Sequence, residues 1–392
     1  MKRKDHLPNV KKTNVFLSYF SSLKLTIALL FFIVLLSIAG SIIPQQEAFI
    51  EFIRHLPAGW AAALQKMQFF DLYHSIWFFL LLGLLSLNLV VCSLNRFPVT
   101  WKAYQAKAFP EAFTSLENLP APLTLMTEER RERALQRMEA LLAREYRKTE
   151  KRETGQGTFL HAEKGRFSLF GIYIVHLSIL IIIAGAVVGS IFGFNSFIKM
   201  AEGDSIDTIH LKDNRGEKKL NFSIRCDRFS VNYYEDGLPR EYRSDLTFLK
   251  NDHVAYHGSL RVNHPITFEG IRFYQASHGT MSGGRIGLTI RKEGGKEQRD
   301  IFSLDHIDRK YYTGLQIAYD PGIPIVATGA FLLFAGFMVV FFSSHRQIWI
   351  EVDTHGDHTR IRLAGKTSRD PRRMQRELEL LMDLYKNSGD GV

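Results

Sequence analysis

Cysteine is scarce: Cys92 and Cys226 are the only two in 392 residues. One closes an apolar run and the other sits in a distant polar stretch, so no structural disulfide is expected between them. No CxxC pair is present either, which removes thiol–disulfide exchange and covalent haem attachment from what the chain does alone. A phosphate-cradling P-loop is missing, so nucleotide-driven transport has no support. Zinc-finger spacing and an aromatic-interleaved basic groove are also missing. The net charge of +10 is therefore not read as a nucleic-acid partner; much of it flanks apolar runs, where anionic lipid is the simpler counter-charge.

Charge is also missing from the interior of four long apolar stretches. Residues 25–43, 75–94, 167–193 and 323–342 each approach the ~20 residues needed to cross a bilayer. The second, with its core at Ile76–Cys92, is short and is expected to borrow Asp71–Ser75 at its rim. The first lacks a small-x-small cleavage site and is read as a retained span rather than a signal peptide. The expected fold class is a polytopic α-helical membrane protein with four transmembrane helices and a large, mostly β extracytoplasmic domain.

Basic residues orient the chain. Lys2, Arg3, Lys4, Lys11, Lys12 and Lys24 precede the first span, Arg96, Lys102, Lys107, Lys164 and Arg166 lie between the second and third, and Arg346 follows the fourth. The positive-inside rule makes residues 1–24, 95–166 and 343–392 cytoplasmic, with 44–74 and 194–322 outside. The connector 95–166 carries an amphipathic helix over Glu128–Tyr146 and a short strand at Thr158–Leu160. The tail reads as a hairpin over Gln347–Leu363 and a helix over Pro371–Lys386, whose Met374, Leu378, Leu381 and Met382 face either the hairpin or a partner. In the outer segment, strand-like runs at Lys219–Ile224, Phe229–Tyr234, Ser244–Leu249, His253–Arg261, Thr267–Gln275, Arg285–Arg291 and Gly314–Tyr319 suggest a sandwich-like sheet.

His176 lies inside the third span. An imidazole in hydrocarbon is costly unless it is paired, ligates a metal or faces a polar cavity. Two readings stand: an axial haem ligand in an interhelical cleft, or a hydrogen-bonding tie to another helix through Ser178. Gly185 and Gly189 further along would let a neighbouring helix approach closely. His74 opens the second span among Tyr73, Trp77 and Phe78, and reads either as a wet residue of an aromatic belt or as a second haem contact. At the end of the fourth span, His345 and Arg346 are open to a haem role, with Arg346 meeting a propionate or a lipid phosphate; Lys164 and Arg166 are similarly open. His264-Pro265 and Phe273 to His278 read either as a haem-facing patch or, as the favoured reading, as a turn at Pro265 and a core strand ending near Tyr274. His355 and His358 lack further ligands and fit a turn.

Taken in order, several phrases resemble the ResB/Ccs1 family of cytochrome c biogenesis proteins (System II). They are Ser22-Leu23-Lys24, Gly40 to Pro44-Gln45, Tyr73-His74-Ser75-Ile76-Trp77-Phe78, Leu87-Asn88-Leu89, Asn95-Arg96, Val175-His176-Leu177-Ser178 with Gly185, Asn263-His264-Pro265, Phe273-Tyr274-Gln275-Ala276-Ser277, and Ser344-His345-Arg346 with Trp349. His278 departs from the aromatic residue expected there. The resemblance implies a multi-pass protein of the bacterial inner membrane that works with a CcsA/ResC-type partner. The pair would move haem b outward, keep it reduced and present it to the CxxCH motif of apocytochrome c, alongside thiol-reducing proteins of the pathway. It places His176 as one axial ligand, with the opposite ligand from the partner, and implies a subunit that is not catalytic alone. A scaffold that stabilises the partner without ligating haem is the competing reading.

Overall fold

The computed structural model describes residues 19–43, 57–109, 116, 122–146, 148–154, 157–212, 216–236, 238–280, 286–292, 300–307 and 311–388. The basic N-terminal residues before 19, the Pro44-Gln45 phrase and Arg285 lie outside them. Among the described residues, four helices are long and apolar enough to cross a membrane: α1 (Leu23–Ile42), α3 (Ile76–Gln105), α5 (Gly171–Phe192, entered through a 3-10 turn at Arg166–Phe170) and α6 (Ile323–Phe342). A short helix, α2 (Ala58–Lys66), and a 3-10 turn over Phe69–His74 precede α3. The chain divides into two compact units, residues 1–183 with 326–392, and residues 184–325.

The second span does not borrow Asp71–Ser75. Those residues form the 3-10 turn and the cap, in which the Ser75 hydroxyl accepts from Phe78 N at 3.2 Å and donates to the Leu72 carbonyl at 2.6 Å. The helix instead extends at its other end, past Pro98 to Gln105. Its 30 residues make about 45 Å, against a hydrocarbon layer of about 30 Å, so its last turns lie beyond the apolar layer.

Polar side chains and glycines set the helix packing. Asn88, fully buried on α3, accepts from the Thr26 hydroxyl of α1 at 2.7 Å and donates to the Phe20 carbonyl at 2.6 Å. On α6, Gly329 and Gly336 lie against α5: an added Cβ would come 2.7 Å from Ile182 Cγ1 and 2.9 Å from Val175 Cγ2. Gly322 sits seven residues earlier, where a Cβ would meet the Gly185 carbonyl. A seven-residue row of glycines keeps one face of α6 without side chains as the pair winds together. The Gly185 backbone is thus where the chain entering α6 comes close to α5.

The first unit also contains a five-stranded antiparallel sheet, ordered β1 (Leu123–Thr127), β15 (His358–Thr367), β14 (Arg346–His355), β3 (Gly157–Lys164) and β2 (Lys148–Thr154). Two helices, α4 (Arg131–Glu145) and α7 (Pro371–Asn387), cover one face. Ile348, Ile350 and Val352 alternate inward and pack with Met138, Leu142, Met374 and Leu378. The apolar stripe of α7 therefore packs on the sheet that contains the tail hairpin. On the opposite face, Trp349 Nε1 donates to the Ala108 carbonyl at 3.0 Å, and Glu351 and Asp353 pair with Arg362 and Arg360.

The second unit is a β domain. One four-stranded sheet runs β4 (Phe194–Ala201), β13 (Tyr311–Tyr319), β10 (Ile271–Thr280), β9 (Ile266–Phe268). The other runs β5 (Ser205–His210), β6 (Glu217–Tyr233), β7 (Pro239–Lys250), β8 (His253–Arg261). Their inner faces share one core that includes Met200, Phe222, Ile224, Leu246, Phe248, Phe273 and Leu315. A ribbon of β11 (Ile286–Lys292) and β12 (Asp300–Ile307) completes the described strands. Two expected strands merge into β6, one splits into β9 and β10, and β4, β5 and β12 had no separate expectation. The chain is a four-helix membrane protein with a large sheet-rich domain.

His161 on β3 is 2 % exposed, rests between Trp349 and Phe109, and its Nε2 has no hydrogen-bond partner among the described residues. Burial pushes its pKa down to about 4 from the ordinary 6.5. The unfolded chain therefore takes up this proton more readily than the native one between those values. Stability conferred by the neutral ring is complete above pH 6.5 and falls as the pH drops toward 4, by up to ~3 kcal/mol at ~1.4 kcal/mol per pH unit. His161→Phe should flatten this acid limb in melting temperatures of the detergent-solubilised chain; an unchanged slope would show that other groups dominate. Asn88→Ala removes the bonds to Thr26 and Phe20 and should lower the melting temperature by a few degrees, consistent with ~1 kcal/mol for an interhelical hydrogen bond in a membrane.

Candidate interhelical site at His176

His176 projects from the second turn of α5 toward α3. Its Nδ1 lies 2.8 Å from the Ser93 hydroxyl oxygen, and that hydroxyl is 2.7 Å from the Leu89 carbonyl one turn back on its own helix. The Ser93 proton has two acceptors within reach; directed to the Leu89 carbonyl, it leaves the hydroxyl lone pairs facing the imidazole. In that arrangement the imidazole carries its hydrogen on Nδ1 and leaves Nε2 as a bare acceptor. No described residue donates to Nε2. A histidine held through one nitrogen with the other free is the arrangement of a metal-ligating imidazole. The tie expected through Ser178 does not form; that hydroxyl donates to the Val175 carbonyl at 2.7 Å.

Beyond Ser93, the extra turns of α3 continue the same face. Phe97 stacks on Trp101 at 5.8 Å and meets Tyr173 edge-on at 5.6 Å. Trp101 stacks on Tyr104, which meets Phe170 at 5.1 Å, and the hydroxyls of Thr100 and Tyr173 lie 2.8 Å apart. Arg96 lies three residues past Ser93 on the same helix. Reading residues 95–105 as connector concealed this wall. Its signal was present in Ser93, Phe97, Thr100, Trp101 and Tyr104, spaced by one, three or four residues.

The other candidates lie elsewhere. His74 hydrogen-bonds Asp71 at 2.6 Å and is exposed. Nineteen residues separate it from Ser93, about 28 Å if measured along a helix, so His74 and His176 do not share one iron. His345 is buried against the Glu163 carboxylate, which also takes Arg166 Nε at 2.7 Å. Burial works to raise the Glu163 pKa, but the hydrogen bonds from Arg166 and His345 prevail and hold it below the ordinary value. Arg346 gives Nη1 to Glu377 at 2.9 Å rather than standing free for a propionate, and Arg166 belongs to the Glu163 cluster. Thus His345 and Arg346 are engaged where the sheet joins the spans. The turn readings elsewhere correspond to Asn263 at φ 63° beside His264, and to the β14–β15 turn between His355 and His358. His278 stacks on Tyr242 at 3.9 Å. Cys226 is buried in β6, and burial, with nearby carboxylates, raises its thiol to about 12. Among the described residues no group of three or more His, Cys, Asp or Glu could hold a metal ion.

The ResB-like family model matches residues 23–302 and 289–379, which include α1, the interhelical site, the β domain and most of α7. The chain belongs to the ResB-like family. Its similarity extends to curated relatives named cytochrome c biogenesis protein CcsB. One from Synechococcus sp. (strain JA-3-3Ab) is 27 % identical over 93 % of this chain and 88 % of its own length. Another, from Trichormus variabilis, is 27 % identical over 97 % and 95 %. A third, from Crocosphaera subtropica, is 26 % identical over 91 % of each.

In this ResB-like chain the glycine row of α6 braces the backbone next to His176, because Gly336 faces Val175. Gly336→Leu should overpack that crossing, costing ~1–3 kcal/mol and several degrees of melting temperature in detergent. An unshifted melt would mean that α5 and α6 can separate without loss.

Proposed function

We propose that this chain is the membrane component of a cytochrome c maturation complex that holds haem as its substrate through His176. It assists delivery across the bacterial inner membrane and presents the haem to the CxxCH motif of apocytochrome c. A CcsA/ResC-type partner supplies the opposite axial ligand. The observation that carries this reading is an imidazole held at Nδ1 by Ser93, with no described residue hydrogen-bonded to Nε2. The residues fit the substrate: a neutral imidazole suits iron, the aromatic wall of α3 and α5 suits a tetrapyrrole face, and Arg96 suits an anionic edge. The bound group supplies its own redox chemistry; the chain contributes ligation, orientation and restricted water access. The distribution of basic residues supports termini and the five-stranded sheet in the cytoplasm and the β domain outside.

The scaffold reading draws on the same hydrogen bond, since a Ser93–His176 tie is also what a purely structural contact would give. His176→Asn separates the two, because an amide can still bond Ser93 but is a poor iron ligand. In the complex purified with its partner, His176→Asn and His176→Gly should both lose haem absorption and cytochrome maturation, and added imidazole should restore the pigment of the Gly variant. Retention of pigment and maturation by His176→Asn would leave the scaffold.

A further inference from the structure

The helical face of the five-stranded sheet carries a second site. Between the C-terminal turn of α4 and the outer side of α7 lies a cleft of about 530 Å³, within the ~300–1,000 Å³ of small-molecule pockets. Its apolar wall includes Leu380 and Leu384, 55 % and 42 % exposed although α7 already buries Met374, Leu378, Leu381, Met382 and Tyr385 against the sheet. Its charged wall is unbalanced. Arg346 and Glu377 satisfy each other, which leaves Arg144, Arg373 and Arg376 with no ion pair among the described residues, against the single carboxylate of Glu145. The surplus is two positive charges.

We propose that this cleft binds an amphipathic dianion, and that the dianion is haem, received here through its two propionates before transfer to the interhelical site. The proposal rests on the reading of haem as the substrate. The layout favours a compact apolar body over a bilayer lipid. Arg346 and Arg373 also line a smaller cleft with Phe341 and Phe342 at the end of α6, so the cationic end of the site adjoins the membrane exit. Leu380 and Leu384 lie two to three turns further along α7, the latter about 16 Å beyond Arg373 if measured along the helix. A lipid held by its headgroup at Arg373 would send its tails back toward α6, away from these leucines. A tetrapyrrole with its carboxylates on the arginines would cover them.

Iron-free protoporphyrin IX tests the cleft separately from His176, because a porphyrin without iron cannot be ligated by imidazole. Fluorescence titration of the full chain in detergent should show saturable binding that His176→Gly leaves unchanged. Arg373→Glu with Arg376→Glu, and separately Leu384→Glu, should each weaken it about tenfold or more, as should esterifying both propionates. All three substitutions are at exposed positions, and an unchanged melting temperature verifies the fold. Binding indifferent to the arginines or to esterification would overturn the proposal, as would its loss in His176→Gly. So would competition by phosphatidylglycerol nanodiscs that abolishes all porphyrin binding, which would assign the arginines to lipid. Failure of His176 as an iron ligand would instead appear only in the haem spectrum of the complex.

Discussion

An imidazole placed among apolar helices must have each nitrogen accounted for, and that requirement organises the membrane part of this protein. Ser93 meets it at Nδ1, and with its own proton drawn to Leu89 it does so as the acceptor. The chain of two hydrogen bonds fixes ring orientation and tautomer together, as a supporting shell does around metal ligands. It also demands that α3 and α5 stay in register. The remaining helix contacts can be understood as the means of holding that register.

Those contacts are polar or glycine-based for a physical reason. In lipid, apolar side chains gain little by choosing another helix over acyl chains, so close packing and hydrogen bonds decide which helices meet. Asn88 joins α3 to α1, and the glycine row of α6 lets α5 lie against it at the residue before His176. The Thr100–Tyr173 contact and the aromatic stacks repeat the α3–α5 pairing beyond the apolar layer.

At the junction of spans and sheet, Arg166, Glu163 and His345 form one cluster. It ties the strand that leads into α5 to the residue that follows α6. The sheet is consequently built from both sides of the membrane passage: β3 precedes α5 and β14 follows α6, and the two pair directly. Side chains that read as free ligands in one dimension are partners of half-buried carboxylates in three.

The sequence alone determined the four apolar spans, the amphipathic stripes of α4 and α7, the tail hairpin and the singular position of His176. These features are local: an uncharged run, a helical period or an alternating strand carries its meaning within a few residues. Tertiary structure decided what each polar group does. Ser93 rather than Ser178 holds His176, because the partner lies 83 residues away. Pro98 and two basic residues made the end of α3 read as connector, although packing on α5 sustains the helix through them. His345 and Arg346 were assigned by their place beside a span, whereas Glu163 and Glu377 come from β3 and α7. A residue's period can be read from its neighbours in the chain, but the atom that satisfies it depends on which distant segments the fold brings beside it.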